Sequence, residues 1–469
     1  MSSPYQPFSL VYDEPLTPPS AASQALQESK PALKRELRPW HVVFFNLSSV
    51  LGIRWLAAAA HAGPGSLTLW LIASLTFFLP SALVVSSLAA RFPEEGGLYI
   101  WTKQAFGDWH GFLCSWLYFM SNVLFFPLLL ISAISMSTYT LGQSGSRYAE
   151  NVAFMLPATF VALWIGFLLN LFGLRIGKWA GILGAACTYL IALALIGFAT
   201  LALLKFGAAT RFHLAPAPTW ETVNFWSQIA LALTGLELAP ILGGEILDTP
   251  HTIRSAAWIS GFACAAFYIA GTAAMLVIQS PQAINPLTGL AQTAQAAGAR
   301  LGDKWLAPCF ALLIGIGGVG QLGTFVAGNS RLPFALGLDH HLPAAFGKLH
   351  PRWGTPYVSI LSQAALASVL LLVMQMGETL RAAYQILVDM TVISALIPFV
   401  YIFATGFKFG QRWPGAMGAA VSIAALVLSV IPPAGIASVW LFELKVIGGT
   451  ALLATVGRWI FIRSKQLSA

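Results

Sequence analysis

Glu237 is the residue in this chain best placed to do chemistry where water is scarce. It stands in Thr234-Gly235-Leu236-Glu237-Leu238-Ala239-Pro240, in the middle of the apolar run 223–247. Pro240 has no backbone N–H to give and disturbs the turn before it. Gly235 loosens the same stretch. An ionised carboxylate at membrane depth is costly, so a side chain kept there is a functional hypothesis by default. Two roles follow: proton carrier, or partner for a substrate amine. A structural role as counter-ion to Arg54 is the alternative.

A second interruption lies near the start of the chain, at Asn46-Leu47-Ser48-Ser49-Val50-Leu51-Gly52-Ile53-Arg54. Two serines, a glycine and an arginine fall near the middle of another apolar run. Breaking a helix there frees main-chain N–H and C=O groups, which can bind a carboxylate and an ammonium without an ionic side chain. The candidate binding residues are therefore Ser48, Ser49, Gly52, Ile53 and Arg54 with Thr234, Gly235, Leu236 and Glu237. The same residues also fit a glycine at a helix crossing, with Arg54 reaching to the surface. Glu245, Asp248, Pro250 and Arg254 form a charged cluster at the end of the second run, with a structural or gating character. Arg331 joins Glu245 as a candidate gate residue. Tyr118, Asn122, Gln321, Asn329, Tyr384 and Asp389 are mid-run polar residues of the kind that bond helix to helix.

Other chemistries find little support. The chain has no GxxxxGK[ST] loop, no HExxH and no GxSxG, so ATP-driven, zinc-dependent and serine-nucleophile activities lack their parts. No cofactor and no metal site is expected. The four cysteines, Cys114, Cys187, Cys264 and Cys309, include no CxxC pair and read as small buried residues.

The elements that must carry these residues are helices in lipid. Of 469 residues 57% are hydrophobic and only 9% charged, with a mean hydropathy of +0.74. Soluble domains carry roughly 25% charged residues, and a membrane span needs about 20 apolar ones. Twelve apolar segments can be drawn, at about 40–62, 67–90, 110–138, 152–172, 177–205, 223–247, 255–279, 305–329, 356–376, 380–407, 414–432 and 437–462. Long continuous runs argue against a lipid-spanning barrel, whose segments are short and alternating. The expected organisation is a disordered tail at 1–38, a helical domain at 39–463 and a short tail at 464–469. With the N-terminus inside, 17 of the Lys and Arg residues fall on cytoplasmic segments and 6 on the other side. That bias places both termini in the cytoplasm, in the cell membrane, or the inner membrane of a bacterium. A net charge of +8 is thus a topology signal. No basic patch interleaved with aromatics points to nucleic acid.

Three ordered motifs carry a resemblance. They are Arg91-Phe92-Pro93-Glu94-Glu95-Gly96-Gly97-Leu98-Tyr99-Ile100-Trp101 with Ala105-Phe106-Gly107, then Gly235-Leu236-Glu237 with Glu245 and Pro250. The third is Ser330-Arg331-Leu332-Pro333-Phe334-Ala335 with Asp339, Leu342-Pro343 and Thr355-Pro356. Together they resemble the amino acid–polyamine–organocation transporters over nearly the whole chain. Glu94-Glu95-Gly96-Gly97 and Gly52-Ile53-Arg54-Trp55 are similar to the glutamate/GABA antiporter branch, and plant-type polyamine carriers share a similar loop. The resemblance implies an all-α fold of twelve helices in a five-plus-five inverted repeat, 40–205 and 223–407, with helices 11 and 12 at 414–462. It also implies alternating access around spans 1, 3, 6, 8 and 10 and protons as the coupling ion. Two departures stand out. Ser48-Ser49-Val50-Leu51-Gly52 replaces the usual Gly-Ser-Gly-Ile string, and Thr188 falls where many relatives carry a lysine.

The function expected is secondary transport of an amino acid or related organic amine, by proton-coupled symport or exchange. A polyamine carrier, a non-transporting nutrient receptor and an ion channel are the rivals. Oligomeric state has no signature in the sequence.

Overall fold

The computed structural model describes residues 35–216, 220–374, 380–430, 440 and 443–468. Residues 1–34 of the expected tail, Ala469 and the side chains of Arg381, Tyr384 and Lys445 lie outside the described residues.

Helices dominate. In chain order they are α1 (Pro39–Val50), α2 (Ile53–His61), α3 (Ser66–Arg91), α4 (Leu98–Phe106), α5 (Asp108–Ser137) and α6 (Val152–Leu171). Next come α7 (Leu174–Phe206), α8 (Trp220–Ala232), α9 (Leu238–Ile241), α10 (Thr249–Ile278), α11 (Gly289–Leu301) and α12 (Leu306–Asn329). The last are α13 (Arg331–Leu338), α14 (Tyr357–Met374), α15 (Leu380–Lys408), α16 (Arg412–Ser429) and α17 (Gly449–Ser468). Among the described residues nine helical stretches are long and apolar enough to cross a membrane. The chain is a helical membrane protein, and helices suit it because each satisfies its own main-chain polar groups. The sixth expected span fails that length test because it is split into α8 and α9.

Close helix approach depends on small residues, as it does in lipid generally. Where α7 crosses α12, a Cβ added to Gly184 would stand 2.8 Å from Gly320 Cα, and one added to Gly320 would stand 2.6 Å from Gly184 Cα. Cys114, Cys187 and Cys264 are buried as expected, whereas Cys309 is exposed. It shares an outward flank of α12 with the exposed Leu312 and Ile316. Burial fails for Cys309 because an apolar surround of lipid suits a thiol as well as a core does.

Two sets of connections gather on opposite sides of the bundle. On one side, Gly96 N–H donates to Ile241 C=O, Leu37 pairs with Ile246, and Lys103 meets Asp339. Residues 35–38, 91–108, 241–249 and 330–356 therefore share what we call the loop face. On the other side His61 bonds Ile284 C=O, and Ala209 N–H donates to Val277 C=O. Four of the segments that the charge bias grouped together meet on the loop face.

Candidate functional site

Both interruptions are real breaks. Between α1 and α2, Leu51 and Gly52 have extended backbones, with φ/ψ of −76°/102° and −107°/102°. Gly52 is needed there, since an added Cβ would meet Trp55 Cδ1 at 2.6 Å. Between α8 and α9 the chain leaves helical geometry from Leu233 to Glu237. Gly235 has φ +126°, a region that L side chains rarely adopt.

The breaks face one another. Ser49 Oγ donates to Gly235 C=O at 3.0 Å. The freed main-chain groups around them are claimed by side chains from other helices. Tyr268 of α10 accepts from Gly52 N–H at 2.9 Å and lies 2.6 Å from Val50 C=O and 3.0 Å from Ala232 C=O. One hydroxyl thus joins both broken helices. Gln321 Nε2 of α12 donates to Leu51 C=O at 2.8 Å. Buried main-chain polar groups rarely go without partners, and these two residues supply them.

Glu237 sits at the centre and is 2% exposed. Its Oε1 accepts from Tyr118 O–H at 2.7 Å and its Oε2 from Gly235 N–H at 2.9 Å. Arg54 is also buried, its guanidinium 4.4 Å above the Trp55 ring and 4.5 Å above Phe125. Both charged residues line one cavity, with Ser49, Gly52 and Thr234. Phe125, Phe325 and Phe399 add an apolar wall. The free volume is about 30 Å³, room for a couple of water molecules and too little for an amino acid. The cavity must widen to admit a solute.

Not every expected residue reaches this cavity. Ser48 bonds Thr324 across to α12 at 2.9 Å. Ile53 lines a smaller neighbouring space with Thr188 and Gln321. Gly235 and Leu236 shape the break from behind it. Reading the sequence missed Tyr268 and the aromatic wall. A lone tyrosine in the apolar run 255–279 was the available signal, since a hydroxyl at that depth needs a partner.

On the loop face lies a buried cluster of charge. Arg331 holds Glu245 through two nitrogens, at 2.9 and 2.8 Å. Glu95 approaches the same guanidinium at 4.0 Å and accepts from Gly244 N–H at 2.9 Å. Its Oε1 is shielded from water and has no hydrogen-bond partner. Burial, then the neighbouring Glu245, push the Glu95 carboxyl well above the usual carboxylate range, against the pull of Arg331 and Gly244 N–H. Further out, Asp339 receives Tyr99 O–H and the Lys103 ammonium, each at 2.7 Å. The gate residues expected from sequence, Glu245 and Arg331, are brought together, and Glu95 joins them.

Two broken helices beside a small cavity lined by Arg54 and Glu237, inside a helical membrane bundle, fit a small-solute transporter. Its sequence agrees, since the family profile described as amino acid permease matches residues 37–452. The chain belongs to that family, and it is a transporter, not an enzyme. It is 25% identical to an uncharacterized transporter of Legionella pneumophila over 92% of this chain and 97% of that one. It is 26% identical to a glutamate/serine transporter of Bacillus subtilis, over 81% and 78%. A probable agmatine/putrescine antiporter of Lactococcus lactis is 24% identical over 71% of each chain. In fold the chain is similar to MhsT solved with L-phenylalanine, with a TM-score of 0.60 at 14% identity, over 88% of this chain and all of that one.

Proposed function

We propose that this amino acid and amine transporter works by alternating access and prefers an amino acid zwitterion, moving it by proton-coupled symport or exchange. One observation carries the reading: a buried guanidinium and a buried carboxylate, Arg54 and Glu237, line the same cavity between two broken helices. A zwitterion answers both charges. Its carboxylate fits Arg54 and the first-turn N–H groups of α2, where the helix dipole also favours an anion. Its ammonium fits Glu237 and the carbonyls near Thr234. Glu237 is also the carboxyl proposed to carry the coupling proton. Glu245 and Arg331 close the loop face between cycles.

The wider frame belongs to the same proposal. The architecture is twelve spans within 39–463, as two inverted repeats at 40–205 and 223–407 with two further helices, most similar to the glutamate/GABA branch. The membrane is the cell membrane, with the loop face and both termini in the cytoplasm. A polyamine carrier is the second reading, since relatives are named as an agmatine/putrescine antiporter and as polyamine transporters. Arg54 argues against it, because a buried guanidinium repels a diamine.

Counterflow in proteoliposomes tests both readings. Vesicles loaded with glutamate or serine should exchange labelled amino acid, and putrescine should not compete. Exchange of putrescine alone would overturn the amino acid reading. Full, pH-independent transport by Glu237→Gln would remove Glu237 from the coupling role.

A further inference from the structure

A cleft of about 740 Å³ opens between α5, α13, α14 and the end of α17, apart from the substrate cavity. That is within the range of roughly 300–1,000 Å³ in which proteins bury small ligands. Its walls are apolar: Trp116 and Phe119 of α5, Leu336 of α13, Leu366 of α14, and Trp459 and Ile460 of α17. Its polar lining includes Arg463 at the end of α17 and His340 after α13.

The position of that end can be read from α17. Ile460, Phe461 and Ile462 are followed by Arg463 and Lys465, so the apolar layer ends here. Tryptophan beside basic residues marks a membrane–water boundary. Trp459 is 59% exposed, and the Arg463 guanidinium stands 5.0 Å over its ring. Among the described residues no ion pair engages Arg463. An apolar cleft near the end of the apolar layer is therefore lined by a cation that has no ion-pair partner among the described residues.

We propose that this cleft binds an anionic phospholipid from the surrounding leaflet, with an acyl chain between the tryptophans and the phosphate at Arg463 and His340. A neutral lipid would fill the apolar part and leave the guanidinium uncompensated. A second copy of the chain fits less well. A two-fold contact in the membrane would set Arg463 at the same depth as its own copy, cation facing cation. One wall of the cleft is α13, the helix that begins with Arg331.

The test uses the full chain in vesicles of phosphatidylethanolamine with a minor share of phosphatidylglycerol, extracted gently and weighed intact by mass spectrometry. The expected result is one phosphatidylglycerol retained per chain in preference to phosphatidylethanolamine. Arg463→Ala should weaken that retention about fivefold, the worth of one basic residue at an anionic surface. Ser362→Trp, which fills the cleft from α14, should abolish it. Arg458→Ala, an exposed cation of α17 outside the cleft, should leave it unchanged. Unfolding temperatures of the variants separate lipid loss from misfolding. Equal retention of both lipids, retention indifferent to Arg463→Ala in a folded variant, or a lipid-free dimer would each overturn the proposal.

Discussion

Replacing Tyr268 by Phe removes one oxygen and leaves the rest of the side chain in place. The ring is stacked on Trp70 at 4.3 Å and is fully buried, so packing survives the change. What goes is the acceptor for Gly52 N–H and the donor shared between Val50 and Ala232 C=O. A hydroxyl has one proton, so at least one buried N–H and one buried C=O lose their partner. Each such group costs about 1–3 kcal/mol, giving about 2–6 kcal/mol in all. A side-chain bond between intact helices in lipid averages only ~0.6 kcal/mol, because separated helices find other partners. The larger figure applies here, since neither break satisfies these groups within its own helix. Heat unfolding of the purified protein should show the loss, and counterflow should fall as the two breaks drift apart. Tyr189→Phe is the control, because it deletes a buried hydroxyl that has no hydrogen-bond partner. If both variants unfold and exchange like the parent, Tyr268 does not hold the breaks together and the reasoning fails.

Gly235→Ala should cost about 1–3 kcal/mol through its backbone alone, and its Cβ would meet the Ser49 carbonyl at 3.0 Å. Gly197→Ala, which meets nothing within 4 Å, should leave unfolding temperature and exchange nearly unchanged. If the loop-face cluster is the gate proposed above, Glu95 binds its proton more tightly when buried beside Glu245 than when open to water. Above the ordinary carboxylate range the closed form then holds the extra proton, so acid on the loop face favours closure and rising pH favours opening. Counterflow with pH varied on that face alone should follow this sign, and Glu95→Gln should remove the dependence.

The breaks were legible because they depend on local chemistry. Pro240 cannot donate, Gly235 permits a positive φ, and Glu237 has no cheap reason to sit in an apolar run. The loop-face cluster was half legible: Glu245 stood out as a charge at a span end and Arg331 stood in a loop motif, while Glu95 lay inside another motif and gave no sign of its burial. Ser48 looked like a binding residue by its place in the string, yet one helical position decides whether a side chain faces the cavity or α12. Thr324 took it, across 276 residues of sequence.

The partners of the breaks were only partly legible: Gln321 stood out as a mid-run polar residue of the kind that bonds helix to helix, while Tyr268 did not. Tyr268 and Gln321 bond Gly52 and Leu51 from 216 and 270 residues away, and each stands in an unbroken helix that looks ordinary by itself. A broken helix announces its need for partners, but the sequence does not say which helix will meet it. This has a consequence for binding. The main-chain dipoles that a solute would use are already partly engaged by these side chains, and Gly235 N–H is engaged by Glu237 itself. A solute therefore competes with bonds the protein has made, and must also widen a cavity of about 30 Å³. Under the proposed binding mode a ligand that answers both Arg54 and Glu237 offsets those losses, which ties the proposed preference for a zwitterion to the small volume of the empty site.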